Sequence, residues 1–201
     1  MKQNRDWESR YAASAGLFGD DPSPLLTANR HLLQPDMETA LAIGDGEGRN
    51  GLWLAAQGLR VLSLDLSPTA LRRATTRARQ QGLAFDTQCG DALQWTWPRQ
   101  AFDVITLIFV HLPPPQRSRL HRLMQQALRP GGLIFIEAYH QDQLRCASGG
   151  PANPAVLYTL DTLRQDFVGL EILTLEKTGT RVVVDGSDQG SGVVVHFVAR
   201  G

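Results

Sequence analysis

Cysteine is scarce in this sequence. Only Cys89 and Cys146 occur, far apart and outside any C-x-x-C spacing. Neither a disulfide framework nor a thiolate zinc site is expected, and the composition suits a reducing cytoplasm. No apolar run reaches the roughly 18 residues of a membrane helix, and Met1 to Arg10 is polar rather than signal-like. Neither a membrane partner nor a secretory route is therefore expected. Net charge is absent too: 20 basic residues balance 20 acidic ones. That balance argues against a dedicated nucleic-acid surface, and Arg72, Arg73, Arg77 and Arg79 read as the solvated face of one helix. The five histidines are scattered without metal-ligand spacing, so no metal site is expected.

What is present is a regular alternation of short apolar runs and helical patterns. At 201 residues, of which 42% are hydrophobic, one domain with a proper core is expected over 1–201. Strands are expected at Ala40–Ile43, Arg60–Leu64, Ala84–Gln88, Phe102–Phe109 and Leu133–Ala138. Helices are expected at Arg49–Gln57, Pro68–Gln81 and Pro115–Leu128. Ser67 suits an N-cap, Pro68 the first helical position and Gly82 the stop. This spacing implies parallel strands with helices on both faces, a doubly wound α/β fold. The tail changes character. After a helix at Thr159–Phe167, Leu170–Glu176 (extending towards Val184) and Val193–Ala199 are strands with no helix between them, hence an antiparallel pair. Two segments stand outside the alternation. Residues 1–38 form an N-terminal cap segment with a short helix at Leu25–Leu33. Residues 139–158 form an irregular loop of the kind that covers a site.

The most informative stretch is Gly44-Asp45-Gly46-Glu47-Gly48-Arg49-Asn50-Gly51, set between the first strand and the first helix of the alternation. A strand that turns through glycines into a helix gathers backbone N–H groups and lets a ligand approach the main chain. Two fingerprints overlap: Gly44, Gly46 and Gly48 form G-x-G-x-G, and Gly46, Gly48 and Gly51 form the dinucleotide pattern G-x-G-x-x-G. The first glycine belongs at the strand end, a place Gly44 holds, whereas counting from Gly46 forces Gly44 and Asp45 into the strand. Asp65, ending the second strand, suits hydrogen bonds from ribose hydroxyls or a cap on the next helix.

Further along, Gly90-Asp91-Ala92 follows the third strand, Phe102-Asp103-Val104-Ile105 opens the fourth, and Leu128-Arg129-Pro130-Gly131-Gly132 precedes the fifth. In this order and spacing the chain resembles the class I S-adenosylmethionine-dependent methyltransferases over residues 36 to 138. Trp7, Arg10 and Tyr11, with Gly46-Glu47-Gly48-Arg49-Asn50, resemble the small bacterial tellurite-resistance and thiopurine-type branch. The resemblance implies a Rossmann-like seven-stranded sheet, mostly parallel with an antiparallel C-terminal hairpin. It implies S-adenosyl-L-methionine as cofactor and methyl transfer; the single compact domain and balanced charge suggest a small-molecule acceptor, and a monomer or weak dimer is expected. Two departures stand out: Ala42 occupies a position that is usually acidic, and Asp45 one that is usually small or cysteine.

The resemblance places Gly44, Asp45, Gly46 and Gly48 at the methionine end of the cofactor. Asp45 either receives the methionine ammonium or faces water. Asp65 and Leu66 flank the ribose and adenine. Asp91 and Ala92 meet the adenine, or Asp91 caps a turn. Phe109 and Val110 line the wall near the methionine, and His111 either accepts a proton from the nucleophile or shapes the pocket. Arg10 or Tyr11 reaches the cofactor carboxylate from a cap that includes Trp7, or a helix packs on the core through Trp7 and Tyr11 with Arg10 in solvent. Tyr139, His140 and Arg145 stand on the acceptor side. Two rivals remain: a protein that binds S-adenosylmethionine or S-adenosylhomocysteine without turnover, and a nicotinamide-dependent oxidoreductase, which lacks a Tyr-x-x-x-Lys pair here.

Overall fold

The computed structural model describes residues 2–146, 148–184 and 187–201. Its centre is a sheet of seven strands in the order β3-β2-β1-β4-β5-β7-β6. These are β1 Thr39–Ile43, β2 Arg60–Asp65, β3 Phe85–Cys89, β4 Phe102–Ile108, β5 Leu128–Tyr139, β6 Glu171–Val184 and β7 Ser187–Arg200. The first five run parallel, and β7 is antiparallel to both β5 and β6. The helices are α1 Lys2–Ala13, α2 Pro24–Ala28, α3 Arg49–Ala56, α4 Pro68–Gln80, α5 Pro114–Ala127 and α6 Leu160–Asp166.

Strand β1 is buried along its whole length, as a central strand covered on both faces must be. Its alternate side chains fill two layers. Leu41 and Ile43 join Ile105, Leu107, Ile134 and Ile136 beneath α5 and α6, through Leu120, Met124, Leu163 and Phe167. Ala40 and Ala42 join Val104, Leu133 and Phe135 beneath α2 and α3, through Leu25, Leu26 and Leu54. The caps follow the expected chemistry: Ser67 Oγ accepts from Ala70 N at 3.1 Å, and Pro68 opens α4.

Three elements differ from expectation by more than one residue at a boundary. The helix expected at Leu25–Leu33 is α2 followed by a 3-10 turn at Arg30–Leu32, because the Asn29 side chain bonds back to the Leu25 carbonyl at 2.9 Å and ends the α geometry. Strand β5 begins at Leu128 rather than Leu133, with an irregularity in its pairing that accommodates Gly131 at a φ of 79°. The final strand begins at Ser187 rather than Val193, since β6 and β7 pair out to Val184 and Ser187. The polar, turn-rich composition of that stretch masked a ribbon held by main-chain bonds.

Asp103, from the motif that opens β4, is a staple of the sheet. Its carboxylate accepts from the N–H groups of Glu38 and Thr39 at 3.0 and 2.9 Å, from Thr39 Oγ1 at 2.7 Å and from Arg129 Nη1 at 3.0 Å. It thus ties the entries of β1, β4 and β5 at the edge opposite the glycine turn. Burial alone would raise its pKa; the bonds from Thr39, Glu38 and Arg129 outweigh that and hold it below the usual carboxylate range. Asp103→Ala is expected to cost roughly 2–3 kcal/mol of stability and to leave cofactor affinity unchanged. Denaturant melts and ligand titration on one sample check both halves.

Candidate active site at the carboxyl edge of the sheet

Connections leave β1 towards β2 on one side and reach β4 on the other, so the sheet order reverses between β1 and β4. A crevice opens at such a switch point beyond the carboxyl ends of the strands. Gly44 leaves β1 there. Gly44, Gly46 and Gly48 have φ values of 62°, 57° and 86°, a region costly for residues with a Cβ. A Cβ on Gly44 would strike the Val110 side chain, and one on Gly46 the Tyr11 hydroxyl.

Asp45 turns inward beneath this turn. It is buried, and its carboxylate accepts from Gly51 N and Ser63 Oγ, both at 3.1 Å. Both alternatives for Asp45, the water-facing carboxylate and the receiver of the methionine ammonium, are thereby corrected: the turn geometry aims the side chain under the loop, against α3 and β2. The same contact explains Gly51, where a Cβ would strike the Asp45 carboxylate. The third glycine of the dinucleotide spacing therefore answers to packing. Burial raises the Asp45 pKa to about 6.

Asp65 ends β2 beside the turn, accepting from Gly46 N and Ser67 N at 2.8 Å each. It is buried, and burial raises its pKa. Gly90 N donates to the Asp65 carbonyl at 2.9 Å, which brings Leu66, Asp91 and Ala92 to the same flank. Asp91 Oδ1 accepts from Leu93 N at 2.9 Å, as in the turn-capping alternative, and the Ala92 carbonyl accepts from Trp97 Nε1 at 2.7 Å.

On the other flank Phe109 follows β4 with a φ of 57°, a left-handed conformation uncommon for a bulky residue. Its N–H donates to the Glu137 carbonyl at 2.7 Å, and its ring lies 5.0 Å from that of Tyr139. Arg49 extends over this wall, 6.0 Å from the Phe109 ring, with Nη1 on the Asp21 carbonyl at 2.9 Å. His111 stacks on Tyr139 at 5.5 Å. Its Nε2 accepts from Tyr139 N at 3.0 Å, which makes Nδ1 the protonated nitrogen, donating to the Phe109 carbonyl at 3.1 Å. Burial lowers its pKa to about 4. With both nitrogens engaged in bridging β4 to β5, His111 has no lone pair free to take a proton. The pocket-shaping alternative fits this geometry.

Helix α1 and the chain after it lie over the turn. The Tyr11 hydroxyl stands above Gly46, and Trp7, Tyr11 and Phe18 form one aromatic group with ring separations of 6.1 to 6.5 Å. Arg10 lies 4.5 Å from the Trp7 ring centre, stacked on the cover itself. On the acceptor side, His140 is turned to cap the 3-10 turn Gln141–Arg145, its Nδ1 accepting from Asp142 N at 3.0 Å, while Arg145 is exposed at the turn's end.

Sequence reading missed the polar groups that fasten these covers. Ser23 N donates to Asn50 Oδ1 at 2.8 Å, and Ser23 Oγ donates to the buried carboxylate of Glu137, whose other oxygen lies 3.5 Å from His196 Nε2. Gln143, also buried, accepts from Val193 N at 2.7 Å and donates to the Gly149 carbonyl at 2.7 Å and Ser148 Oγ at 3.0 Å. The one available signal was Glu137 itself, a lone charge inside Leu133–Ala138.

Residues 40–132 match the family profile described as Methyltransferase domain. By that match, which takes in just under half of the chain, residues 40–132 are similar to methyltransferase domains. A ubiquinone biosynthesis O-methyltransferase of Coxiella burnetii is 32% identical over 104 residues, which are 51% of this chain and 44% of that protein. The chain thus spans under half the length of that curated relative. Among solved structures, one concerning conversion of a disulfide bond into a thioacetal group during echinomycin biosynthesis aligns at a TM-score of 0.81. It covers 98% of this chain and 91% of that one at 21% identity. TehB from Haemophilus influenzae aligns at 0.72, covering 98% and 66% at 18% identity. These likenesses concern the fold. The matched stretch takes in Gly44, Asp65 and Phe109, which the fold gathers at the carboxyl edge of the sheet.

Asp45 and His111 give the domain opposed pH responses. Asp45 binds its proton more tightly folded than unfolded, so its contribution is present below about pH 4 and is lost as pH rises through about 6. His111 binds its proton less tightly when folded, so its contribution is present above about pH 6.5 and is lost as pH falls through about 4. In wild type the two largely cancel. Relative to wild type, Asp45→Asn is expected to tilt the stability profile upward between pH 4 and 6.5, and His111→Gln to tilt it downward over that window. Urea midpoints at half-unit pH steps check both signs.

Proposed function

We propose that the protein transfers the methyl group of S-adenosylmethionine to a small-molecule acceptor held between Phe109, Tyr139 and the N-terminal cover. The observation that carries this reading is the glycine turn at the switch point with Asp65 beside it and an aromatic wall opposite. The residues fit the cofactor: Gly44, Gly46 and Gly48 leave the main chain approachable, and Asp65 offers a carboxylate at the expected ribose flank.

The cofactor supplies a sulfonium-activated methyl carbon. Gly44 to Gly48, with Asp45 supporting the turn from below, hold the methionine end. Asp65 and Leu66 hold the ribose, and Asp91 and Ala92 hold the adenine. Trp7, Arg10 and Tyr11 cover the site and exclude water, and Tyr139 with the 139–158 loop orients the acceptor. In this reading residues 1–38 and 139–158 are covers on one domain. Because His111 is fully bonded, the acceptor brings its own nucleophilic pair, as a soft or already ionised atom does. The Coxiella burnetii relative's name supports a small-molecule acceptor. Balanced charge supports a substrate other than nucleic acid, and the free cysteines suit a cytoplasmic protein working as a monomer or weak dimer.

Calorimetry is expected to show binding of S-adenosylmethionine and S-adenosylhomocysteine but not of NAD; NAD binding alone would overturn the reading. Asp65→Ala is expected to weaken S-adenosylhomocysteine about ten- to hundredfold in a folded protein. Across thiols and phenols of graded acidity, the pH–rate inflection is expected to follow the acceptor's own pKa. A fixed inflection across all acceptors would place a base on the protein instead.

A further inference from the structure

Glu47 sits within the glycine turn, between Gly46 and Gly48, yet its side chain turns away from the crevice and is nearly buried. Both carboxylate oxygens are spent on the N-terminal cover. Oε1 accepts from Gly16 N at 3.1 Å, and Oε2 accepts from Leu17 N at 3.0 Å. Arg73, on α4, closes the arrangement. Its Nη1 lies 2.9 Å from Glu47 Oε1, 2.7 Å from the Tyr11 carbonyl and 2.8 Å from the Ser14 carbonyl. Tyr11 belongs to the last turn of α1, where carbonyls lack helical partners and the helix dipole favours a cation. One carboxylate and one guanidinium therefore hold the end of α1 and the following loop onto the turn.

A second fastening lies on the other side of the turn. Glu8 accepts from Thr69 Oγ1 at 2.6 Å, Ser67 Oγ at 2.5 Å and Thr69 N at 3.2 Å, at the start of α4. Between these two points Tyr11 is fixed with its hydroxyl over Gly46, and Gly46 N is itself bonded to Asp65. The residue that the cofactor's methionine end meets and the residue that holds the cover are thus adjacent in sequence, with no flexible linker between them.

We propose that Glu47 is a positioning residue that couples occupancy of the glycine turn to closure of the N-terminal cover, with Arg73 as its partner. A ligand that fixes residues 44–48 fixes the carboxylate to which Gly16 and Leu17 are bonded, so binding and closure reinforce one another reciprocally. The cofactor half of this proposal rests on the function proposed above; the fastening of the cover does not.

The test compares wild type, Glu47→Ala and Arg73→Met by hydrogen exchange with and without S-adenosylhomocysteine, and by stopped-flow dissociation of that ligand. In wild type the ligand is expected to protect both 44–48 and 7–18. In both variants it is expected to protect 44–48 but no longer 7–18, with dissociation about tenfold faster or more. Without ligand, chymotryptic cleavage at Phe18 is expected to accelerate in the variants. Arg73→Met leaves the turn's sequence intact, so it keeps the test decisive if Glu47→Ala fails to fold. Equal protection of 7–18 in a folded variant and in wild type overturns the proposal, as does wild type in which the ligand protects 44–48 alone. Wild type that binds no S-adenosylhomocysteine overturns the proposed function. In that case unchanged cleavage at Phe18 in the variants overturns the fastening as well.

Discussion

Strand β1 has no face in water, and that constraint organises the rest of the molecule. Its five residues are buried, with β2 on one side and β4 on the other. The chain must leave the sheet abruptly at Ile43, and glycines make that exit possible. The exit exposes main-chain donors where the strand order reverses. Asp45, Asp65 and Glu47 each satisfy donors that the turn or its cover would otherwise leave unpaired. The turn is therefore built into the hydrogen bonding of α3, β2 and the N-terminal cover.

Carboxylates and guanidinium groups meet around this edge. Asp45, Asp65 and Glu47 surround the Tyr11 phenol, whose pKa burial raises first and these carboxylates raise further. Arg73 pairs with Glu47, while Arg10 and Arg49 lie over the aromatic rings of Trp7 and Phe109.

Much of this could be read from the sequence. Ser67, Pro68 and Gly82 bounded α4 because caps and breakers act locally, and the buried strands announced themselves as short apolar runs. The place of Asp65 was legible because the apolar run of β2 stops there, beside the glycine turn. Where side-chain direction decided the outcome, the sequence was silent. Asp45 stands between two glycines and gives no sign that it points inward. His111 looks like a free imidazole until the Tyr139 N–H, 28 residues away, is seen to occupy Nε2. Glu137 and Gln143 act through partners distant in sequence, which local patterns do not report. The ribbon of β6 and β7 was underestimated because main-chain pairing tolerates the glycine, serine and aspartate that otherwise signal a turn.

That ribbon reaches past the rest of the sheet. Pairing of β5 with β7 stops at Tyr139 and Val194, while β6 and β7 remain paired to Val184 and Ser187. The outer part of β7 would thus present bare main-chain donors and acceptors, an invitation to another chain's strand. The loop after β5 lies along it: Gln143 takes the Val193 N–H, and Ser148 Oγ donates to the Ser191 carbonyl at 2.7 Å. A segment that looks dedicated to substrate also works as an edge guard. Trimming this loop would accordingly bare the outer main chain of β7 to another chain's strand.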